Sequence, residues 1–374
     1  MDYWIWLSQL RGVGPILQKK LLAAFEGDPE KIYRASVADL VEVDGIGKAT
    51  AKKITEFRLD EVKATIELVE KLNIEVLTLG ASSYADVFSC KRSPILFYYR
   101  GTLPKIRGVA VVGARRCTED AKRAASEIGS AVGERGHPVI SGMAKGVDSY
   151  AHTTCLKVGG YTMAVLASGV DICYPKEHRT LYEKIMNDGG VVISAYPPGV
   201  RPHPKFFLER NAHIVAWSTD VVVVQASVNS GSLTTARFAN EQGRNLYVVP
   251  HSIYTPEAEG SNLLLMKGAR PYLGPSSLSF ADGRVETEGD RHASCSPTGD
   301  PRNRRNSDTP LSSLEQKIIT YLHNNGSCTV DKLANHLEIP ELDLTNALIQ
   351  LEMHNHLKIK GRTLNSVRHR PWTF

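Results

Sequence analysis

Short runs of apolar residues alternate with amphipathic stretches over the middle of the chain. The runs are GVAVVG (108–113), HPVISG (137–142), YTMAVLAS (161–168), VVISAY (191–196), DVVVVQAS (220–227) and NLYVVP (245–250). Helical periodicity between them predicts helices at 118–135, 147–158, 178–188 and 232–242. Continuous apolar runs are typical of strands buried on both faces, and the intervening helices allow parallel crossovers. The pattern predicts a doubly wound, mostly parallel, Rossmann-like α/β sheet.

The two ends of the chain have a helical pattern instead. The front has apolar residues at helical spacing and two glycine turns, Gly12-Val13-Gly14 and Gly45-Ile46-Gly47. The end has three helical stretches and then a β-turn-β pattern, which is the plan of a winged helix. A polar segment rich in Gly, Pro, Ser and Arg precedes it and is predicted to be disordered. We expect a helical helix-hairpin-helix (SAM-like) domain, a Rossmann-like core, a linker and a winged-helix domain with a basic tail, at 1–78, 79–280, 281–310 and 311–374.

Composition excludes several classes of protein. The chain has 374 residues, 42% hydrophobic and 23% charged, with a formal net charge of +5. This is globular composition, and the length suggests about two or three domains. None of the six cysteines has zinc-ligand spacing, so we read them as reduced thiols of a cytoplasmic protein. The start has no signal-peptide pattern, and no apolar stretch is long enough to span a bilayer. No metal or cofactor is predicted.

Two glycine-containing loops follow adjacent predicted strands. The first contains Gly113 and Arg115, and the second reads Ser141-Gly142-Met-Ala-Lys145-Gly146-Val-Asp148. Open α/β sheets bind ligands at the carboxyl ends of their strands, and glycines let backbone amides approach an anion. Two basic loops of this kind predict a phosphate site, although a single such loop is more often only a turn. Asp148 is expected to bind orphan amides at the helix start, with a general base as the alternative. His152 is expected to be a buried structural residue.

Two further segments have features of anion sites. The loop with Ser230, Gly231 and Thr235 opens a predicted helix, so its hydroxyls suit an anion, although Ser232 could serve only as a helix cap. The front segment around Gly45, Gly47 and Lys48 has the helix-hairpin-helix pattern, in which amides opening a helix meet a phosphate. Residues 1–80 hold 11 basic and 13 acidic side chains, so protein packing is the stronger alternative there.

In this order, the motifs resemble the DNA-processing protein A family (DprA, also called Smf). The matching segments are VAVVGARRCT, VISGMAKGVDSYAH, AVLASGVDICYP, FLERN and SGSLTTARFANEQGRNLYVVP. The resemblance implies a single-stranded DNA-binding protein that forms a homodimer and loads the RecA recombinase. It also implies that a set of residues forms the DNA-backbone pocket and its flanking loops: Gly113, Arg115, Ser141, Gly142, Lys145, Gly146, Asp148, Gly169, Tyr174, Pro175, Arg210, Asn211, Ser230, Gly231 and Thr235.

The chain departs from the usual family pattern at five positions. Glu is usual where this chain has Ala195 and Gln225, Arg and Gly where it has Ala212 and Ala216, and Gly where it has His251. The loss of two carboxylates and an Arg is expected to rewire one side of the pocket. The phosphate motifs are intact.

Charge favours one of three hypotheses. Residues 100–180 carry 12 basic and 7 acidic side chains, so the net charge of this segment alone, +5, equals that of the whole chain. The leading hypothesis is a non-catalytic single-strand DNA-binding protein of natural transformation or recombination. An alternative is a nucleotide phosphoribohydrolase-like enzyme, although the loop at 230–236 has no early Glu and the nearest is Glu241. A third is a winged-helix adaptor, whose tail from Met353 to Phe374 has five Lys and Arg and no Asp or Glu.

Overall fold

The computed structural model contains two compact units, Met1–Ser294 and Cys295–Phe374. Nearly all of the first unit is described, and part of the second. The described residues are 1–90, 93–280, 318, 320–322, 328–337, 344, 348, 357–360 and 363–366. The predicted linker at 281–310 lies outside them.

A nine-stranded sheet forms the centre of the first unit, in the order β1-β2-β6-β5-β4-β3-β7-β8-β9. Its strands are β1 (Glu75–Thr78), β2 (Leu96–Gly101), β3 (Gly108–Val112), β4 (Val139–Ser141), β5 (Thr162–Leu166), β6 (Val191–Ser194), β7 (Ser218–Val223), β8 (Asn245–Val248) and β9 (Arg270–Pro271). Strands β3 to β9 pair in parallel, whereas β1 and β2 add an antiparallel edge. The doubly wound, mostly parallel sheet is confirmed. The order reverses between β3 and β7, which is the topological switch point.

Helices cover both faces of this sheet. They are α7 (Glu119–Glu134), α8 (Val147–Lys157), α9 (Arg179–Asn187), α10 (Pro204–Ala216), α11 (Ser232–Glu241) and α12 (Glu259–Met266). Alternate residues of β3 face opposite layers: Val109 and Val111 pack with α7 and α8, and Ala110 and Val112 with α10 and α11. Burial on both sides explains the uninterrupted apolar run of β3, since each face needs its own apolar residues.

Six short helices form the front of the chain. They are α1 (Asp2–Ser8), α2 (Pro15–Ala24), α3 (Pro29–Arg34), α4 (Val37–Val41), α5 (Lys48–Glu56) and α6 (Lys63–Lys71). Trp6 is at the centre of their core, where its indole N–H donates to the Phe57 carbonyl at 2.6 Å. The same apolar cluster includes Leu96 and Tyr98 of β2. The helical front therefore shares its core with the antiparallel edge of the sheet.

The second unit contains a helix and a small sheet. Helix α13 spans Val330–Leu337, and the sheet has the order β10-β12-β11 with antiparallel pairing. Its strands are β10 (Cys328–Thr329), β11 (Leu357–Lys360) and β12 (Thr363–Ser366). Most of the predicted first and third helices lie outside the described residues, so the winged helix stays a prediction. No helix in the described parts of the chain is long and apolar enough to cross a membrane.

Candidate nucleic-acid interface

A cavity of about 590 Å³ opens at the carboxyl edge of the sheet, beside the switch point between β3 and β7. The loops after β3, β4 and β7 line it, together with one side of α10 from Pro204 to Ile214. Nine predicted site residues lie on its wall: Gly113, Arg115, Asp148, Tyr174, Arg210, Asn211, Ser230, Gly231 and Thr235. Six others lie outside it: Ser141, Gly142, Lys145, Gly146, Gly169 and Pro175.

Glycines pack the first two loops against each other. A Cβ at Gly113 would lie 2.6 Å from Cγ2 of Val147, and one at Gly146 would lie 2.3 Å from the Ala114 carbonyl oxygen. Gly146 also has a φ of +78°, which a larger side chain rarely adopts. Close packing of two loops therefore requires these glycines, in addition to any role in admitting an anion.

Asp148 binds the backbone of the loop that precedes its helix. Its Oδ2 accepts hydrogen bonds from the amides of Gly142 at 3.1 Å and Ala144 at 3.2 Å. Burial raises the pKa of Asp148, while the charge of Arg210 and the two amides act in the opposite direction. This geometry supports the amide-binding role rather than that of a general base, because the side chain is buried and holds the loop in place.

Arg210 forms the floor of the cavity as a buried cation. Its Nη1 donates to the carbonyls of Gly142 at 2.7 Å and Val165 at 2.5 Å, and its Nε donates to Asn211 Oδ1 at 3.2 Å. Asn211 in turn donates from Nδ2 to the Gly231 carbonyl at 3.3 Å. Burial lowers the pKa of Arg210 to about 10, so the guanidinium stays protonated at neutral pH. Arg210 ties the loops together and adds a fixed positive charge.

Aromatic rings and an exposed guanidinium form the rim. Cζ of Arg115 lies 5.1 Å from the centroid of the Phe207 ring, within the range of a cation–π contact. The exposed Tyr174 ring is 5.6 Å from the same ring. Phe207 is the first residue of the FLERN segment, but only Arg210 and Asn211 of that segment were predicted as site residues. The rim therefore offers a guanidinium that can bind a phosphate and aromatic rings on which a base can stack.

Lys145 lies outside the cavity and forms an ion pair. Its Nζ is 2.8 Å from Oε1 of Glu177, and both side chains are more than half exposed. The hydrogen bond from Lys145 lowers the pKa of Glu177. An anion that binds Lys145 therefore competes with this carboxylate for the ammonium group.

The neighbouring predicted residues have mainly structural contacts. Ser141 Oγ donates to the Val111 carbonyl at 2.6 Å, joining β4 to β3. The Gly169 amide donates to the Val200 carbonyl at 2.8 Å. Pro175 follows Tyr174 through a cis peptide bond and precedes a turn of 3-10 helix. These residues shape the loops beside the cavity.

The loop after β7 leads into α11, whose N-cap is Gly231 and so contributes no capping side chain. Ser230 Oγ accepts from the Ser232 amide at 3.2 Å, and Thr235 is buried one turn further on. The start of α11 lies at the cavity wall, where its amide dipoles favour an anion.

His152 is buried beneath the loops, as expected. Its Nδ1 lies 2.6 Å from Thr162 Oγ1, and that hydroxyl donates to the Val139 carbonyl at 2.9 Å. Nδ1 must therefore carry the proton, because the hydroxyl hydrogen is already in use. Burial lowers the pKa of His152 to about 3, so the ring is neutral.

The five departures from the family pattern do not line this cavity. Ala195 and Ala212 line a separate groove, and Ala216 is in the core. Gln225 Oε1 accepts from the Thr118 amide at 3.0 Å at the start of α7, and His251 Nε2 bonds the Val224 carbonyl. These five side chains therefore lie away from the cavity wall, whereas the sequence led us to expect them on one side of the pocket.

The predicted accessory hairpin lies in the helical front. Gly45 has a φ of +90°, Gly47 is the N-cap of α5, and Lys48 is exposed. None of the three lines the cavity. A DNA contact at this hairpin stays a prediction.

Fold and cavity together define a Rossmann-like α/β protein with a basic, aromatic-rimmed cavity at its switch point. The sequence profile of the family described as DNA recombination-mediator protein A matches residues 75–279, more than half of the chain. The chain belongs to this family, and the resemblance predicted from its motifs is confirmed. A second profile, the SAM-like helix-hairpin-helix tandem, matches residues 7–58 and confirms the predicted front.

Individual relatives agree with this assignment. Protein Smf of Synechocystis sp. is 35% identical over 292 residues, which cover 76% of this chain and 73% of that protein. DNA processing protein DprA of Streptococcus pneumoniae is 31% identical over 237 residues, covering 63% and 82%. The X-ray structure of DprA from Streptococcus pneumoniae matches with a TM-score of 0.64 at 27% identity, covering 74% of this chain and 96% of that one.

Proposed function

We propose that the protein binds single-stranded DNA in the cavity at the switch point. The observation that carries the proposal is the rim, where the exposed Arg115 guanidinium lies 5.1 Å from the centre of the Phe207 ring. A guanidinium binds phosphate, whereas an aromatic face stacks on a base that is not already stacked in a duplex. The buried charge of Arg210 and the positive dipole end of α11, which lies at the cavity wall, add to the attraction for a phosphate.

Arg115→Gln tests this proposal in a fluorescence binding assay with labelled oligonucleotides across a salt series. We expect about tenfold weaker binding at low salt, on all sequences alike, and a log–log salt slope smaller by about 0.7. Lys145→Ala removes one positive charge as well and should reduce the slope by a similar amount. Arg123→Gln is the control, because Arg123 is exposed on α7 away from the cavity. An unchanged slope and affinity for Arg115→Gln would refute the proposed site.

We infer that the protein acts on DNA without catalysing a reaction. Asp148 is the sole carboxylate among the described residues lining the cavity, and its Oδ2 is bonded to two loop amides. Glu241, the candidate for a hydrolase, lies at the end of α11 beside Arg237, with Oε1 3.6 Å from Nε. Release of ribose 5-phosphate from AMP or CMP by the purified protein would overturn this inference.

We also propose that the protein is a homodimer. Four large apolar side chains near the β9 edge, Ile253, Tyr254, Met266 and Leu273, are each more than three-quarters exposed. Exposed apolar residues concentrated at one edge are typical of protein interfaces. Met266→Glu should shift the mass measured by light scattering toward the monomer, and Val158→Glu, at a less exposed apolar position on another surface, should not. Unchanged dimer mass in Met266→Glu would exclude this surface.

The wider role follows from family membership and is part of the same proposal. The protein would protect incoming DNA in the cytoplasm and load the RecA recombinase in natural transformation or recombination. Its winged helix and basic tail would add DNA or protein contacts. Strand exchange with purified RecA on DNA already coated by single-strand binding protein tests the loading step, and no stimulation by the wild-type protein would contradict it.

A further inference from the structure

A second groove, of about 1300 Å³, lies between the helical front and helices α10 and α11. The α1–α2 turn forms one wall, and Tyr196, Phe206 and Arg237 are on the other. Leu208 is 48% exposed and lines both this groove and the cavity at the switch point. The groove and the cavity are therefore neighbours, with the Leu208 side chain between them.

The start of α2 opens into this groove. Gly14 is its N-cap, makes no side-chain capping bond and is followed by Pro15, so the amides of Ile16 and Leu17 have no acceptor within the helix. Gln18 fixes the turn, because its Nε2 donates to the carbonyls of Leu7 and Val13, each at 2.9 Å. The exposed Arg11, in the turn before this helix, also lines the groove.

His213 of α10 also lines this groove and has an unpartnered side-chain nitrogen within the described part of the chain. Its side chain is only 6% exposed, and its Nδ1 has no hydrogen-bond partner among the residues that the structure describes. Buried polar atoms are nearly always satisfied, so this nitrogen leaves a hydrogen bond unmade beside the groove.

Aromatic side chains continue from the cavity into the groove. Phe207 lines the cavity, whereas the preceding Phe206 lines the groove, where its ring stacks on Tyr196 at 4.1 Å with an interplanar angle of 29°. Tyr196 donates to Glu209 at 2.9 Å, and Lys205 lies 3.3 Å from the same carboxylate. This acidic side chain is therefore already paired, while Arg11 adds positive charge to the opposite wall.

We propose that single-stranded DNA leaving the cavity crosses Leu208 and continues through this groove, with a phosphate bound by Arg11 and the amides at the start of α2. The inference rests on the proposed function, because the strand must first occupy the cavity. It assigns DNA binding to the first glycine turn of the helical front, Gly12-Val13-Gly14, rather than to the second, at Gly45 and Gly47.

The test uses the full chain and two oligothymidylates, of about 4 and about 16 nucleotides, which bracket the usual site sizes of single-strand grooves. Ile16→Glu places a carboxylate in the groove at an exposed position in the first turn of α2, where an acidic residue is tolerated. Val37→Glu is the matched control, because Val37 is an exposed apolar residue in the first turn of α4 and does not line the groove. Arg11→Gln and Lys63→Gln form a second pair, since Lys63 is exposed at the start of α6.

We expect Ile16→Glu and Arg11→Gln to weaken binding of the long oligonucleotide by about three- to tenfold and to leave the short one unchanged. The two controls should bind both like the wild type. Equal effects on both lengths, or none on either, would overturn the second site. Failure of the proposed function gives a different result, because the wild type would then bind neither oligonucleotide and Arg115→Gln would change nothing.

Discussion

The ion pair between Lys145 and Glu177 predicts a variant that binds DNA more tightly than the wild type. The carboxylate lies 2.8 Å from the ammonium group that a phosphate would bind, so the two acceptors compete. Both side chains are more than half exposed, and exposed pairs of this kind are weak. Glu177→Gln should therefore raise affinity by only about 1.5- to 5-fold at low salt, and the gain should vanish as salt screens the charges.

A double-mutant cycle separates this effect from a general change in charge. Affinity for a labelled single strand is measured for Glu177→Gln, Lys145→Ala and the double variant. If the carboxylate acts through Lys145, then Glu177→Gln has no effect in the Lys145→Ala background. Glu183→Gln is the control, because it removes a nearby exposed carboxylate paired with Arg179. The reasoning is refuted if Glu183→Gln gives the same gain, or if the gain persists without Lys145.

Two further predictions concern stability. Gly142→Ala places a Cβ 2.5 Å from the buried Arg210 guanidinium and should lower the free energy of unfolding by about 1–3 kcal/mol in urea. Gly47→Ala meets no atom within 4 Å and should cost less, about 0.5 kcal/mol, because alanine is a poorer N-cap than glycine; equal midpoints for the two variants would contradict the clash. Burial lowers the pKa of His152 to about 3 and of His213 to about 4, so the stability present above pH 6.5 is lost as the pH falls toward these values. The free energy of unfolding should be larger at pH 7 than at pH 5 by about 2 kcal/mol per histidine, and His213→Phe should remove about half of the total difference. An unchanged pH dependence in His213→Phe would contradict this assignment.

The six central strands could be predicted from sequence because burial on both faces leaves a simple signal. β3 and β5 are buried at every position and read as continuous apolar runs. β2 begins with buried apolar residues, but it ends at the half-buried Arg100 and the exposed Gly101, and no α-helix of the described chain directly precedes it. β9 has only two residues, so it has no pattern to detect. Sequence periodicity therefore found the parallel core and missed its edges.

Helix α10 was missed for a physical reason that also hid part of the site. Seven consecutive residues, from Arg210 to Ala216, are buried, so the helix has no exposed face in its second half and no amphipathic stripe. Two of its buried residues, Arg210 and His213, are ionisable and break the apolar pattern further. Phe207 lies on this helix, and its contact with Arg115 joins residues distant in sequence. The sequence could identify the loops but not the aromatic wall that faces them.

The shared core of the helical front and the sheet edge makes these parts one cooperative body. Ile95, Leu96 and Tyr98 of the sheet edge are nearly or fully buried in the same cluster as Trp6 and Leu21 of the front. Cutting the chain after residue 78 would therefore expose a large apolar surface on both fragments. The shared core consequently fixes the distance from the cavity to the first glycine turn, and no hinge between the two parts varies it. In such a molecule the affinity for single-stranded DNA would rise in a step at the strand length that reaches from the cavity to the first glycine turn.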